Sequence, residues 1–335
     1  MNYSLGNMLS RGGALNPDGL SLDLQFATDK TLTARKGPTP TFTRASTATF
    51  VGSNGLIQSA TINTPRFDHD PVTLACKGLL IEESRTNVLL NSDTLSTQTV
   101  TVTAAARTLS FYGTGTVVLS GAHIATVTGT GAYPTRTTLT FTPTAGSLTL
   151  TVTGSVTQAQ LELGSFPTSY IPTTTASVVR SADVCSITGS DFTSFYNQSE
   201  GTIVGSGLTN QPTTNAGAEL FRSNDGTNNN RIQLGMTNFP AQAIRPFIVA
   251  SGTVTYSSTQ GTATVGVERK IGTAYKTNDV ISAFNGTLGT LDTTVTLPTN
   301  CNQVALFAGL GAGTISSLRY FKKRLANAKL QSLTT

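Results

Sequence analysis

Val117-Val118-Leu119-Ser120-Gly121-Ala122-His123-Ile124-Ala125-Thr126-Val127-Thr128-Gly129 decides the class of fold. Two short runs, Val117-Val118-Leu119 and Ile124-Ala125-Thr126-Val127, flank one glycine turn and meet another. β-Branched side chains are stiff about their first torsion and suit a pleated sheet, while glycine supplies the turns. The same grammar extends both ways. Val100-Thr101-Val102 and Leu109-Ser110-Phe111-Tyr112 precede the stretch, and Thr137/Leu139/Phe141, Leu148-Thr149-Leu150-Thr151-Val152 and Gln158 to Gly164 follow it. Strands spaced about 8–12 residues apart predict a small sandwich or jelly roll over residues 93–172.

Toward the N-terminus, Leu20, Leu22, Leu24 and Phe26 alternate with polar or small residues, the period of a half-buried strand. Phe42 to Val51 and Leu56-Ile57 add further strands, and Leu79-Leu80-Ile81 reads as a short buried one. Beyond residue 190, strands are expected at 201–205, Leu220-Phe221, Ile232 to Leu234, 253–256, Ala263/Val265/Val267, 280–284, 304–307 and 315–321. Asn285-Gly286 is a strong hairpin turn, and Leu325 to Leu333 is the one convincing helix, with Leu325, Leu330 and Leu333 for one face. The expected fold is all-β: tandem, jelly-roll-like β-sandwich domains with an irregular N-terminal tail and one short C-terminal helix. The expected division is a tail at 1–20, an N-terminal β region at 21–92, the small sandwich at 93–172, a linker at 173–189 and a second sandwich at 190–335.

Composition narrows the function classes. The chain is 335 residues long, 38% hydrophobic, 7% aromatic and without Trp, so its apolar area is spread thinly and favours several small β layers. The net charge is +5, with no basic block apart from Lys322-Lys323-Arg324. Nucleic-acid binding requires a clustered basic stripe, and none is present. No apolar run reaches the roughly 20 residues of a membrane span, and the N-terminus has no signal-peptide pattern. Cys76, Cys185 and Cys301 lie far apart with no Cys-x-x-Cys pair, which argues against a zinc site and fits reduced thiols. No cofactor and no metal is expected.

Charge concentrates between residues 64 and 91, in a chain only 12% charged. Arg66, Asp68, His69 and Asp70 are followed by Glu82, Glu83 and Arg85. In an extended strand Asp68 and Asp70 share one face and His69 takes the other, so the three do not converge. Adjacent Glu82 and Glu83 are equally unsuited to the paired carboxylates of a glycosidase. The expectation is a structural joint in which Arg66 and Arg85 neutralise the neighbouring acids. Glu162 and Asp183 read as isolated acids. No catalytic residues are assigned. Asn228, Asn229, Asn230 and Arg231, in a polar loop between strands, are candidates for sugar hydroxyls, with the solvated hairpin tip as the alternative. Tyr275 and Tyr256 are candidate stacking platforms, packing being the alternative.

Four segments carry a resemblance: Phe42 to Val51 (FTRASTATFV), Pro65 to Thr73 (PRFDHDPVT), Gly78 to Asn87 (GLLIEESRTN) and Gln160 to Pro172 (QLELGSFPTSYIP). Together and in this order they resemble segments of bacteriophage virion appendage proteins, the tail fibres, head fibres and decoration proteins with carbohydrate-binding-like modules. The second half resembles a concanavalin-A-like (laminin-G-like) sandwich, through Glu200 to Val204, Ala274 to Asp279 with Asn285-Gly286, and Leu318 to Leu330. The resemblance implies a structural protein of the virion surface, assembled in the host cytoplasm. It implies a homotrimer, attached to other virion proteins through the N-terminal region and binding host-surface polysaccharide. A tail fibre or adsorption appendage is the first reading, a capsid decoration or head fibre the second. A glycan depolymerase is the rival from another class.

Overall fold

The computed structural model describes residues 18–210, 218–236, 243–262, 264–307 and 311–335. The tail expected at 1–20 lies outside the described residues as far as Pro17.

Two sheets build the larger sandwich, and both draw strands from the two ends of the chain. In the first, Ala312–Phe321 pairs along one edge with Glu200–Thr209. Its other edge is shared by Leu20–Leu24, opposite residues 318–321, and Cys76–Glu82, opposite residues 312–315. Arg66–His69 extends the sheet beyond Cys76–Glu82, while Arg269–Lys276, Asp279–Phe284 and Thr287–Leu288 extend it beyond Glu200–Thr209. The second sheet runs Thr41–Thr43, Val184–Thr188, Gln303–Leu306, Ala218–Asn224, Arg231–Met236, Ala243–Ala250, Thr253–Ser257. Leu22, Leu24, Ile81, Ile203 and Leu318 from one sheet meet Ile187, Phe221, Ile232, Ile248 and Val304 from the other in one continuous core.

This pairing corrects the expected division. Residues 21–92 are not a region apart, because their strands complete the same two sheets as residues 190–335. Nor is 173–189 a linker: Val178–Arg180 pairs with Arg85–Asn87, and Val184–Thr188 lies between Thr41–Thr43 and Gln303–Leu306. The physical reason is long-range backbone pairing. Buried N–H and C=O groups must be satisfied, and the edge of Ala312–Phe321 is satisfied by strands more than 200 positions earlier.

Residues 98–163 form the smaller sandwich. A four-stranded sheet (Ala125–Thr128, Thr116–Gly121, Gly146–Thr153, Gln98–Val102) faces a three-stranded one (Thr137–Phe141, Arg107–Tyr112, Thr157–Leu163). Leu109, Phe111, Val117, Leu119, Leu148, Leu150 and Leu161 fill the space between. Arg107–Tyr112 is buried along its whole length. Leu109 and Phe111 face that core, while Ser110 and Tyr112 turn toward the larger sandwich.

The C-terminal helix spans Asn327–Thr334. Leu325 and Leu330 pack with Val204, Ala274, Ile281 and Phe321 on the outer face of the first sheet, and Leu333 is partly buried beside them. Two further helices, Phe26–Asp29 and Gly189–Phe195, are short elements with no long periodic run to announce them. Asn285 and Gly286 both take positive φ, 43° and 76°, as a two-residue hairpin turn requires. Val265 and Val267, expected in a strand, lie in a turn and the irregular chain after it.

Candidate functional site

The charged stretch folds into a buried ion cluster where the two sandwiches meet. Antiparallel pairing of Thr41–Thr43 with Val184–Thr188 sets Thr43 opposite Val184, so Arg44 and Asp183 emerge side by side. Arg66 comes from the strand Arg66–His69 and Glu82 from the end of its neighbour, Cys76–Glu82. Arg180 ends the strand Val178–Arg180. Ser169 comes from the extended connector that leaves the small sandwich.

Three guanidiniums meet two carboxylates, all effectively out of solvent. Arg66 Nη1 donates to Glu82 Oε2 at 2.7 Å, and Arg66 Nη2 to Asp183 Oδ2 at 2.5 Å. Arg44 Nη1 reaches Asp183 Oδ1 at 3.1 Å, and Arg180 Nη1 lies 2.9 Å from Glu82 Oε2. The remaining acceptor capacity is filled by neutral donors: Ser169 N and Oγ on Glu82 at 2.7 and 2.6 Å, and Glu82 N on Asp183 at 2.9 Å. Backbone carbonyls of Thr49, Thr61 and Thr64 accept the spare N–H groups of Arg66 and Arg44. Burial by itself raises the Glu82 carboxyl, but Arg180, Arg66 and the two Ser169 bonds outweigh it and hold it at about 2. Burial opposes the charge on Arg66 too, and Glu82 with Asp183 overcomes it, raising that guanidinium further. A carboxylate so held has no proton to give at neutral pH. Each charge here is paired and hydrogen-bonded, the condition under which ions tolerate burial.

The other charged residues of the stretch bond locally, and the partners differ from those expected. Arg66 serves Glu82 and Asp183, not Asp68 or Asp70. Asp68 accepts from Val51 N at 2.8 Å and pairs with Lys77 at 2.6 Å. Arg85 pairs with Glu83 and lies over the Phe166 ring at 4.7 Å. Asp70 caps its own turn, accepting from Val72 N and Thr73 N at 3.0 and 2.8 Å, and these bonds lower its carboxyl. His69 Nδ1 lies 3.2 Å from Val51 O. A bulge between Asp68 and His69 breaks the expected alternation, so both are buried.

Glu162 and Asp183 are not isolated. Asp183 bridges Arg44 and Arg66. Glu162 accepts from Thr168 N at 2.9 Å, Thr168 Oγ1 at 2.7 Å and Gln160 Nε2 at 2.6 Å, which folds the connector back onto the small sandwich. Arg44, Arg180 and Ser169 are members of the cluster that sequence reasoning missed. A signal was present: Val179-Arg180-Ser181-Ala182 echoes Thr43-Arg44-Ala45-Ser46, and Ser181 N donates to Ser46 Oγ across the two at 2.9 Å.

The sugar candidates divide. Tyr275 is fully buried, its hydroxyl 2.7 Å from that of Tyr320, in a core of stacked aromatics. It cannot be a stacking platform: its strand, Arg269–Lys276, is covered by the second sheet on one face and the C-terminal helix on the other. Tyr256 is likewise buried and donates to Ser282 at 2.9 Å. The loop at 225–230 does reach solvent. Asn228 and Asn229 are exposed, and Asn230 is tied to Asp225 and Ser251 at 2.8 and 2.9 Å. Arg231 donates to Gln233 at 2.8 Å with its guanidinium 4.7 Å from the Phe247 ring centre. Nearby, burial pushes the Glu219 carboxyl up to about 7 against the pull of Arg222 and Arg231. Among the described residues, no group of three or more His, Cys, Asp or Glu side chains is placed to hold a metal ion.

No family model and no curated protein matches the chain. Solved structures similar to part of it include the CBM40 module of the Ruminococcus gnavus IT-sialidase bound to α2,3-sialyllactose, 17% identical at a TM-score of 0.35 over 42% of this chain and 84% of that one. Domain 4 of the extracellular arabinanase AbnA from Geobacillus stearothermophilus, in complex with arabinotriose, is 13% identical at 0.37 over 46% of this chain and 73% of that one. The binding domain of botulinum neurotoxin serotype D is 9% identical at 0.35 over 45% of this chain and 40% of that one.

Proposed function

We propose that the chain is a non-catalytic, glycan-binding component of a bacteriophage virion, an adsorption appendage or tail fibre assembled as a homotrimer. The observation that carries this reading is the convergence of the four segments resembling phage appendage proteins. They are scattered from residue 42 to residue 172, yet Arg44 and Thr49, Arg66, Glu82, and Ser169 each place one of them in the same ion cluster. The resemblance therefore follows a single joint in space. Such a joint sets one sandwich at a fixed attitude to the other, as an appendage that presents a binding surface away from a particle requires.

A depolymerase needs two carboxyls across a sugar, one of them protonated near neutral pH. Glu82 is held ionised, and Asp183 is fixed between two guanidiniums, so the acids of the cluster do not meet that need. The test is an array of bacterial surface glycans probed with the full chain, followed by reducing-sugar assays on each glycan retained. The expected result is selective retention without release of reducing ends. Turnover of a retained glycan would replace the binding reading with an enzymatic one.

A further inference from the structure

Beside the ion cluster, a cleft of ≈ 340 Å³ opens between the two sandwiches. Its size falls in the range of about 300–1,000 Å³ that small-molecule sites occupy. The small sandwich contributes Tyr112 and Arg136, the strand of the charged stretch Asp68, and the large sandwich Asn210 and Val265, with Phe50 on the hairpin between. We infer that this cleft is the glycan-binding site, shaped for a short neutral saccharide at the end of a longer chain. The inference rests on the glycan-binding reading and names where that binding occurs.

Its polar groups are fixed in place but not used up. The Tyr112 ring is buried and braced edge-on by Tyr133 at 5.2 Å, while its hydroxyl has no hydrogen-bond partner among the described residues. Burial raises that phenol, with Arg136 opposing and Asp68 adding, so at neutral pH the oxygen both donates and accepts. Arg136 spends two N–H groups on Thr168 O and Ser110 Oγ, each at 2.7 Å, and this holds its plane at the wall. A guanidinium carries five such donors. Asp68 is anchored by Val51 N and Lys77 and retains acceptor capacity, since a carboxylate offers about four lone-pair sites. The Asn210 backbone N–H donates to Ala312 O at 2.8 Å, and its side-chain amide is without a partner among the described residues.

A donor–acceptor phenol, a donor, an acceptor and an amide around an apolar wall match vicinal hydroxyls on a ring with an apolar face. The charge balance argues against a polyanion, which needs several unpaired cations. Lys77 meets the Asp68 charge, Arg66 and Arg180 meet that of Glu82, and Arg136 is the one cation of the lining without an ion pair among the described residues. A ligand seated here touches both sandwiches and so stabilises their apposition as well as binding.

The test titrates lactose, maltose, cellobiose and N,N′-diacetylchitobiose into the full chain, by calorimetry and by thermal unfolding. At least one is expected to bind and to raise the unfolding temperature. Tyr112→Phe removes one hydroxyl and keeps the ring, and is expected to weaken that binding about 5- to 10-fold, the worth of one hydrogen bond. Asn210→Ala, whose side-chain amide has no hydrogen bond among the described residues, is expected to weaken it similarly while unfolding like wild type without sugar. Asn229→Ala, in the exposed 225–230 loop, is expected to bind at full strength. Equal affinity in wild type, Tyr112→Phe and Asn210→Ala would overturn the cleft assignment and leave the glycan reading standing. A wild-type chain that binds none of these sugars but retains glycans on the array would also overturn the cleft assignment alone. Failure on both counts would remove the reading itself.

Discussion

Glu82→Gln is the substitution that tests the joint hardest. The side chain is 2% exposed and accepts from Arg66, Arg180 and both donor groups of Ser169. An amide keeps the volume but removes the charge, and one of its two ends becomes a donor facing donors. Two routes give the size of the effect. Removing one partner of a buried ion pair costs about 3–5 kcal/mol, because the remaining ions stay buried and under-compensated. The carboxyl is held at about 2 against an ordinary 4.5, and that difference, at about 1.4 kcal/mol per pH unit, amounts to about 3 kcal/mol at neutral pH.

The sign with pH follows from the same values. The folded carboxyl titrates lower than the unfolded one, so its contribution is complete above about pH 4.5 and disappears as pH falls toward 2. Urea denaturation followed by circular dichroism is the suitable assay, as the chain has no Trp. The wild type should lose stability between pH 4.5 and 2, and Glu82→Gln should start about 3 kcal/mol lower at pH 7 and vary less across that window. A variant within about 0.5 kcal/mol of wild type at pH 7, the range of an ordinary surface change, would refute the reasoning.

Three further outcomes follow. Asp183→Asn, at a side chain with no exposure that bridges Arg44 and Arg66, should cost several times what Asp70→Asn costs, and the reverse order in urea midpoints would count against the cluster as described. Glu219 has the opposite titration from Glu82: its folded carboxyl lies at about 7, above the ordinary 4.5, so stability should be full below 4.5 and decline as pH rises to 7, a slope that Glu219→Gln should abolish. Tyr275→Phe should leave glycan retention unchanged while losing about 1 kcal/mol of stability with the bond to Tyr320, and a selective loss of retention would return that residue to the binding surface.

Local grammar made much of the fold legible. The runs that announced the small sandwich, Val117 to Leu119 and Leu148 to Val152, sit inside Thr116–Gly121 and Gly146–Thr153, paired with each other. The hairpin at Asn285-Gly286 and the C-terminal helix were equally readable, because a tight turn and an apolar helical face are encoded within a few residues. What was not legible is what depends on distance along the chain. Nothing near Leu20 says that it will lie beside Phe321, and only the short echo at Val179 to Ala182 links Asp183 to Arg44, 139 positions away. Tyr275 misled for another reason. A strand covered on both faces has no polar side, so alternation cannot report which residues reach solvent. The charged stretch reads as a joint from the incompatibility of its neighbours with catalysis, but four of the six members of the ion cluster, Arg44, Arg180, Asp183 and Ser169, lie outside that stretch.

The central claim is that this chain is built into the outside of a phage particle. Immunogold labelling of purified intact particles, with antibody raised against the full chain, tests it most directly. The account predicts label on the particle surface, at the tail for an adsorption appendage and over the capsid for a decoration or head fibre. Particles that carry no label, with the chain left wholly in the soluble fraction of the lysate, would contradict it.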